Sequence, residues 1–182
     1  MLPVVDHRFP ADGPQRLRAL AADACGRVLV IGEGPGLDLG LGEVRIDSAA
    51  DCSEADFPPA TFDTIITCWV FCRVADPDVT AAAMCRWLKP DGSLLFVEHV
   101  LGGGFRARAQ RALSPLWVRL AGCELDRDTI GTLRRAGLAV TDCERFAIPA
   151  WGPLFQTCVQ GMAWPRPLQA YRSPRGDGWP GN

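Results

Sequence analysis

With 182 residues the chain has room for one domain with a sizeable core and is short for two. Hydrophobic residues make up 48% and charged residues 22%, a balance that excludes a disordered chain. A net charge of −2 leaves no basic footprint for nucleic acid, and no apolar run approaches the roughly 20 residues of a membrane helix.

The N-terminal segment Met1–Asp6 has neither the basic region nor the apolar stretch of a signal peptide, so a cytoplasmic location is expected. Pro14 to Ala24 reads as a short helix, with Asp12 as a candidate cap and Gly26 ending it. Arg27–Ile31 is an unbroken apolar run of strand length, as in a buried parallel strand, and Gly32-Glu33-Gly34-Pro35-Gly36 breaks it. Glu43–Asp47 predicts a second strand, and residues 48–61, with Pro58-Pro59, a polar loop. Phe62–Val70 is the next buried strand. Asp76-Pro77-Asp78 opens a helix through Leu88, Lys89–Gly92 closes it, and Ser93–Val100 is another strand. Beyond Gly102-Gly103-Gly104, residues 105–120 predict an amphipathic helix interrupted near Pro115. Asp126 or Asp128 caps a helix through Arg135 that stops at Gly137. Leu138–Phe146 and Leu154–Ala163 read as terminal strands forming an antiparallel hairpin at one edge. Residues 1–163 make one domain, and 164–182 an irregular tail of Pro, Gly and Trp. Strands alternating with helices predict an α/β fold with a mainly parallel sheet.

The eight cysteines are scattered without a C-x-x-C pair, and only His7 and His99 could assist a metal site. No metal centre is expected, and the thiols read as free and mostly buried.

Asp51 through Asp63 resembles, without a gap, the stretch that precedes the fourth strand of class I S-adenosylmethionine (SAM) methyltransferases. Phe62 through Val100 continues in register, including the helix exit Leu88-Lys89-Pro90-Asp91-Gly92. The chain is most similar to the quinone-ring C-methyltransferases and the alkyl-thiol methyltransferases. It shares with the latter Phe96-Val97-Glu98-His99-Val100 and the stretch from Gly122 through Cys123 and Leu125 to Thr129. The resemblance covers residues 26–163 and implies a Rossmann-like methyltransferase sheet with SAM as cofactor. Two departures stand out. Val30 occupies the place of a family carboxylate. Only four positions lead from Asp47 to Asp51, where the family has a further helix and strand. About one αβ unit is missing, so the sheet should lack the strand beyond Glu43–Asp47.

The resemblance implies roles by position. Gly32, Glu33, Gly34 and Gly36 form the turn that approaches the cofactor; the plain alternative is a tight strand-to-helix turn. Asp47 matches the carboxylate that accepts the ribose hydroxyls, or is a solvated strand end. Asp51 and Cys52 match the pair that reads adenine, the latter through its N–H, or belong to an ordinary polar loop. Cys68 and Trp69 end the fourth strand beside the methyl donor. Glu98 and His99 end the fifth strand on the same edge, and His99 suits general-base work on a thiol or hydroxyl, unless it is simply hydrogen-bonded into the helix layer. Trp117, Trp151 and Phe155 wall an apolar pocket or belong to the core.

The function expected is SAM-dependent methylation of a small apolar thiol, phenol or quinone-like metabolite in specialised metabolism. The alternatives are a SAM-independent cyclase or lyase on this fold, favoured by Val30 and the missing unit, and a non-catalytic partner protein. A second copy or a partner chain is expected to cover the shortened sheet edge.

Overall fold

The computed structural model describes residues 12–32, 39–40, 44–46, 48–148 and 157–166 of the chain. Along these run α1 (Asp12–Ala21), β1 (Val28–Gly32), β2 (Val44–Ile46), α2 (Ala49–Glu54) and β3 (Phe62–Cys68). Then follow α3 (Pro77–Trp87), β4 (Leu88–His99), α4 (Gly104–Ala121), α5 (Thr129–Arg135), β5 (Leu138–Ala147) and β6 (Thr157–Pro165). The strands form one sheet in the order β2-β1-β3-β4-β6-β5. β1 pairs in parallel with β2 and β3, and β3 with β4. No described strand lies beyond β2, as the short span between Asp47 and Asp51 required.

The parallel strands are apolar on both faces because helices cover both faces. On one side Leu29, Ile31, Ile65, Leu94 and Phe96 pack against α2, α3 and α5, with Trp87 and Met84 fully buried. On the other, Val28, Val30, Ile66, Cys68, Leu95 and Val97 meet Leu17 and Ala21 of α1.

Four expectations need correction. Residues 48–61 are not all loop: Ala49 and Cys52 are buried in the core, and the Cys52 N–H closes a helical turn on the Ser48 carbonyl at 3.2 Å. β4 begins at Leu88, because Leu88 pairs with Phe62 and the chain re-enters the ladder after a register shift. α4 continues through Pro115 as one helix; Pro115 is exposed, which leaves water to satisfy the carbonyl its missing N–H abandons. Finally, β6 extends to Pro165, two residues into the expected tail. The antiparallel hairpin lies at one edge of the sheet as expected, with β6 between β4 and β5 and β5 outermost.

Capping follows the sequence closely. Asp76 accepts the N–H groups of Asp78 and Val79 at 3.0 Å each, with Pro77 in the first turn of α3. Of the two candidate caps for α5, Asp128 is the one used, accepting the Gly131 N–H at 3.1 Å.

Candidate functional site

Following the chain, β1 steps outward to β2, whereas β3 lies on the opposite side of β1. This reversal is a topological switch point, and open α/β sheets bind ligands in the crevice beyond the carboxyl ends of the strands there. Gly32 and Cys68 are the residues that face each other across it, as Cα partners at the ends of β1 and β3. Gly32 has φ 154°, in a region open to glycine and avoided by other side chains. Trp69, directly after β3, sits at φ 51°, a conformation that a bulky residue adopts only when its surroundings impose it. Its N–H is held by the Val97 carbonyl at 3.0 Å.

Glu98 supplies part of that imposition. Its carboxylate is fully buried and accepts the N–H groups of Val70 and Phe71 at 3.1 and 3.0 Å. Burial pushes its pKa up to about 8, against the pull of those two bonds. Both oxygens are thus committed to the turn after β3, which makes Glu98 a positioning residue. His99, also buried, points Nδ1 at Cys123 Sγ, 3.6 Å away. Cys72 completes the group: one ligand-capable atom from each of Cys72, His99 and Cys123 lies within 4.8 Å of the others. The Cys72 hydrogen bond, and then His99, draw the Cys123 thiol down to about 5 despite its burial, while Cys72 is raised well above its ordinary value.

Of the other residues singled out in the sequence, Cys68 is fully buried and burial raises its pKa well above the thiol norm. Cys52 packs into the core, and its N–H, expected to read adenine, is already used by Ser48. Asp51 lies in α2. Val30 is buried in the α1 layer. Trp117 is half-buried on α4. Glu33, Gly34, Gly36, Asp47, Trp151 and Phe155 lie outside the described residues.

Cys72 and Cys123 were not among the residues picked from the sequence. Cys72 lies in the turn after β3 and Cys123 just beyond the end of α4, away from the β4 strand that carries His99, so no local spacing announces them. The only signal was that Cys123 belongs to the same shared stretch as Gly122 and Leu125, and His99 to the other.

A separate polar groove of about 440 Å³ lies between the N-termini of α3 and α5. Its charges are occupied: Asp76 and Asp128 cap the helices, Arg135 pairs with Asp78 at 2.9 Å, and Arg127 with Glu124 at 2.9 Å.

A methyltransferase-domain family model matches residues 37–96. Human thiol S-methyltransferase TMT1A is 28% identical over 104 residues, which are 56% of this chain and 43% of that protein. The ubiquinone/menaquinone biosynthesis C-methyltransferase UbiE of Saccharophagus degradans is 33% identical over 81 residues, 44% of this chain and 32% of that protein. The chain thus spans less than half the length of these curated relatives. Among solved structures, an S-adenosylmethionine-dependent methyltransferase from Mesorhizobium loti matches with TM-score 0.57 and 17% identity, covering 82% of this chain and 96% of that one. The [4+2]-cyclase SpnF matches with TM-score 0.58 and 14% identity, covering 84% and 80%. By its sheet order the chain has a Rossmann-like methyltransferase fold, and its central segment resembles a methyltransferase domain. SAM is the cofactor that this domain implies, and Gly32, with no side chain at the switch point and φ 154°, is compatible with close approach of such a ligand.

Proposed function

We propose that this protein transfers the methyl group of SAM to a small apolar nucleophile, with a thiol as the acceptor class. The observation that carries the reading is the switch point between β1 and β3, where Gly32 ends β1 opposite Cys68 and Trp69 leads into the turn held by Glu98. Methyl transfer needs an acceptor aligned with the sulfonium methyl more than it needs elaborate groups, so a rigid crevice suffices. His99 is the residue we assign to proton removal from the acceptor, since it ends β4 on this same edge and is paired with a thiol. The likeness to the thiol S-methyltransferase TMT1A supports this acceptor class, and the likeness to UbiE, a C-methyltransferase of ubiquinone/menaquinone biosynthesis, the apolar character of the substrate.

The decisive measurement combines calorimetric titration of SAM and S-adenosylhomocysteine with mass-spectrometric detection of methylated short-chain alkyl thiols. Binding of both ligands and a thioether product are expected. With the missing αβ unit and Val30 thinning the cradle, the dissociation constant should reach ~100 μM or above. His99→Ala should lower kcat by about 10²- to 10⁴-fold with SAM affinity nearly unchanged. Silence of both ligands at millimolar concentration would favour the second reading, a SAM-independent reaction. Val30 in the carboxylate's place and the likeness to the [4+2]-cyclase SpnF support that alternative.

A further inference from the structure

We propose that Cys72, His99 and Cys123 form a zinc site, with Cys72 Sγ, His99 Nδ1 and Cys123 Sγ at three corners of a tetrahedron and the fourth corner taken by water or an acceptor thiol. Zinc with Zn–S of about 2.3 Å and Zn–N of about 2.0 Å sets its ligand atoms roughly 3.5–3.8 Å apart. The Cys123–His99 separation of 3.6 Å already meets this, and all three atoms lie within 4.8 Å. Two thiols and an imidazole are the donor set that a soft d¹⁰ cation prefers, and among the described residues no other such group occurs.

Charge and surroundings agree with a cation. All three side chains are buried. Binding releases both thiol protons to solvent and leaves imidazole neutral, its proton on Nε2. Zinc with two thiolates then has no net charge, so no uncompensated charge remains inside. The ligands come from three elements that the fold fixes independently. Cys72 sits in the turn whose amides Glu98 holds, and its carbonyl accepts the Glu124 N–H at 2.7 Å, which fixes Cys72 beside Cys123. Cys123 follows the left-handed cap Gly122, whose N–H returns to Val118 at 2.8 Å. Leu125 is then tied to the Ser114 hydroxyl at 3.1 Å. Such supporting bonds orient metal ligands before the metal arrives.

Three protein ligands and an open fourth position are the hallmark of zinc sites that act on a ligand rather than only brace the fold. Zinc binding stands apart from the methyl-transfer reading; its use in activating a thiol rests on that reading. A thiol on the fourth corner would release its proton to solvent on binding zinc, and His99 would then hold the metal in place of the proton-removing role assigned to it above.

The test uses the full chain, purified without chelators and assayed for zinc by plasma mass spectrometry. Cobalt substitution follows, read by sulfur-to-cobalt charge-transfer absorption. One zinc per chain and strong charge-transfer bands are expected. Cys72→Ser and Cys123→Ser should each weaken the metal by about 100-fold or more, and Cys85→Ala on α3 should not. Circular dichroism shows which variants fold, and the cobalt spectrum of the unaltered chain needs no variant. A folded chain that takes up neither metal, or a Cys72–Cys123 disulfide in the fresh protein, would overturn the proposal. Methyl transfer at full rate by a zinc-stripped chain would refute the activating role of zinc alone, and stoichiometric zinc without methyl transfer would refute the proposed function alone.

Discussion

Glu98 and Asp63 hold the two ends of the central strands. At the carboxyl end, Glu98 accepts from two buried backbone donors, the Val70 and Phe71 N–H groups. Glu98→Gln keeps one acceptor oxygen and leaves one buried N–H unmatched, a cost of about 1–3 kcal/mol; Glu98→Ala strands both and should cost about twice that. Urea unfolding of the pair measures the ratio, and equal losses would mean that the bonds carry little. At the amino end, Asp63 accepts from Lys89 Nζ at 2.7 and 2.8 Å and from the Arg27 N–H at 2.8 Å. The Lys89 hydrogen bond first, then Arg27, lowers the Asp63 pKa below its ordinary 3.8. A depressed carboxylate adds stability above its unfolded pKa and loses it as pH falls through the folded value. Melting of Asp63→Asn should therefore lie below wild type at pH 7, and the two curves should converge below pH 3.8.

Among elements, the β5–β6 hairpin and the helices flanking it make contrasting demands. β5 shifts register between Thr141 and Glu144, where Asp142 adopts φ 47°. Opposite this bulge, a Cβ on Gly161 would stand 2.9 Å from both the Asp142 carbonyl and Phe96 Cζ. Gly161→Ala should cost about 1–3 kcal/mol through overpacking, read as a lower urea midpoint. α4 and α5 differ in a way their composition conceals. Leu116 and Leu120 on α4 are 56% and 66% exposed, whereas Leu133 on α5 is fully buried. Leu133→Ala should cost about 2–5 kcal/mol, while Leu116→Ser and Leu120→Ser should stay within about 0.5 kcal/mol. A large loss at either α4 position would show that something covers that face.

At the scale of the whole molecule, the sheet keeps the strands of the switch point and, among the described residues, ends at the three-residue β2. Binding of SAM at ~100 μM makes a simple forecast. At millimolar ligand, about tenfold above the dissociation constant, linkage stabilises the fold by about 1.4 kcal/mol. For a chain of this size that raises Tm by about 3–6 °C in a thermal shift assay. An unmoved Tm would count against cofactor binding.

The elements were legible in the sequence wherever the deciding forces are local. Apolar runs identified β1, β3 and β4, because a strand covered on both faces needs nothing but apolar side chains. Asp76-Pro77 marked the start of α3, because a cap acts on donors two and three residues away. The missing strand was a matter of chain length, since three residues cannot supply a helix and a strand. What depended on contacts between distant segments could not be read this way. The Asp63–Lys89 pair joins residues 26 apart, and the Glu98 carboxylate reaches back 28 to Val70. Nothing in either local pattern distinguishes these groups from solvated charges. The place of β6 was decided by pairing with β4 and β5 together, not by its own composition. The Cys72–His99–Cys123 cluster is the clearest case. No spacing of these residues along the chain resembles a ligand motif, and they meet only because a turn, a strand end and a helix exit converge at one edge of the sheet.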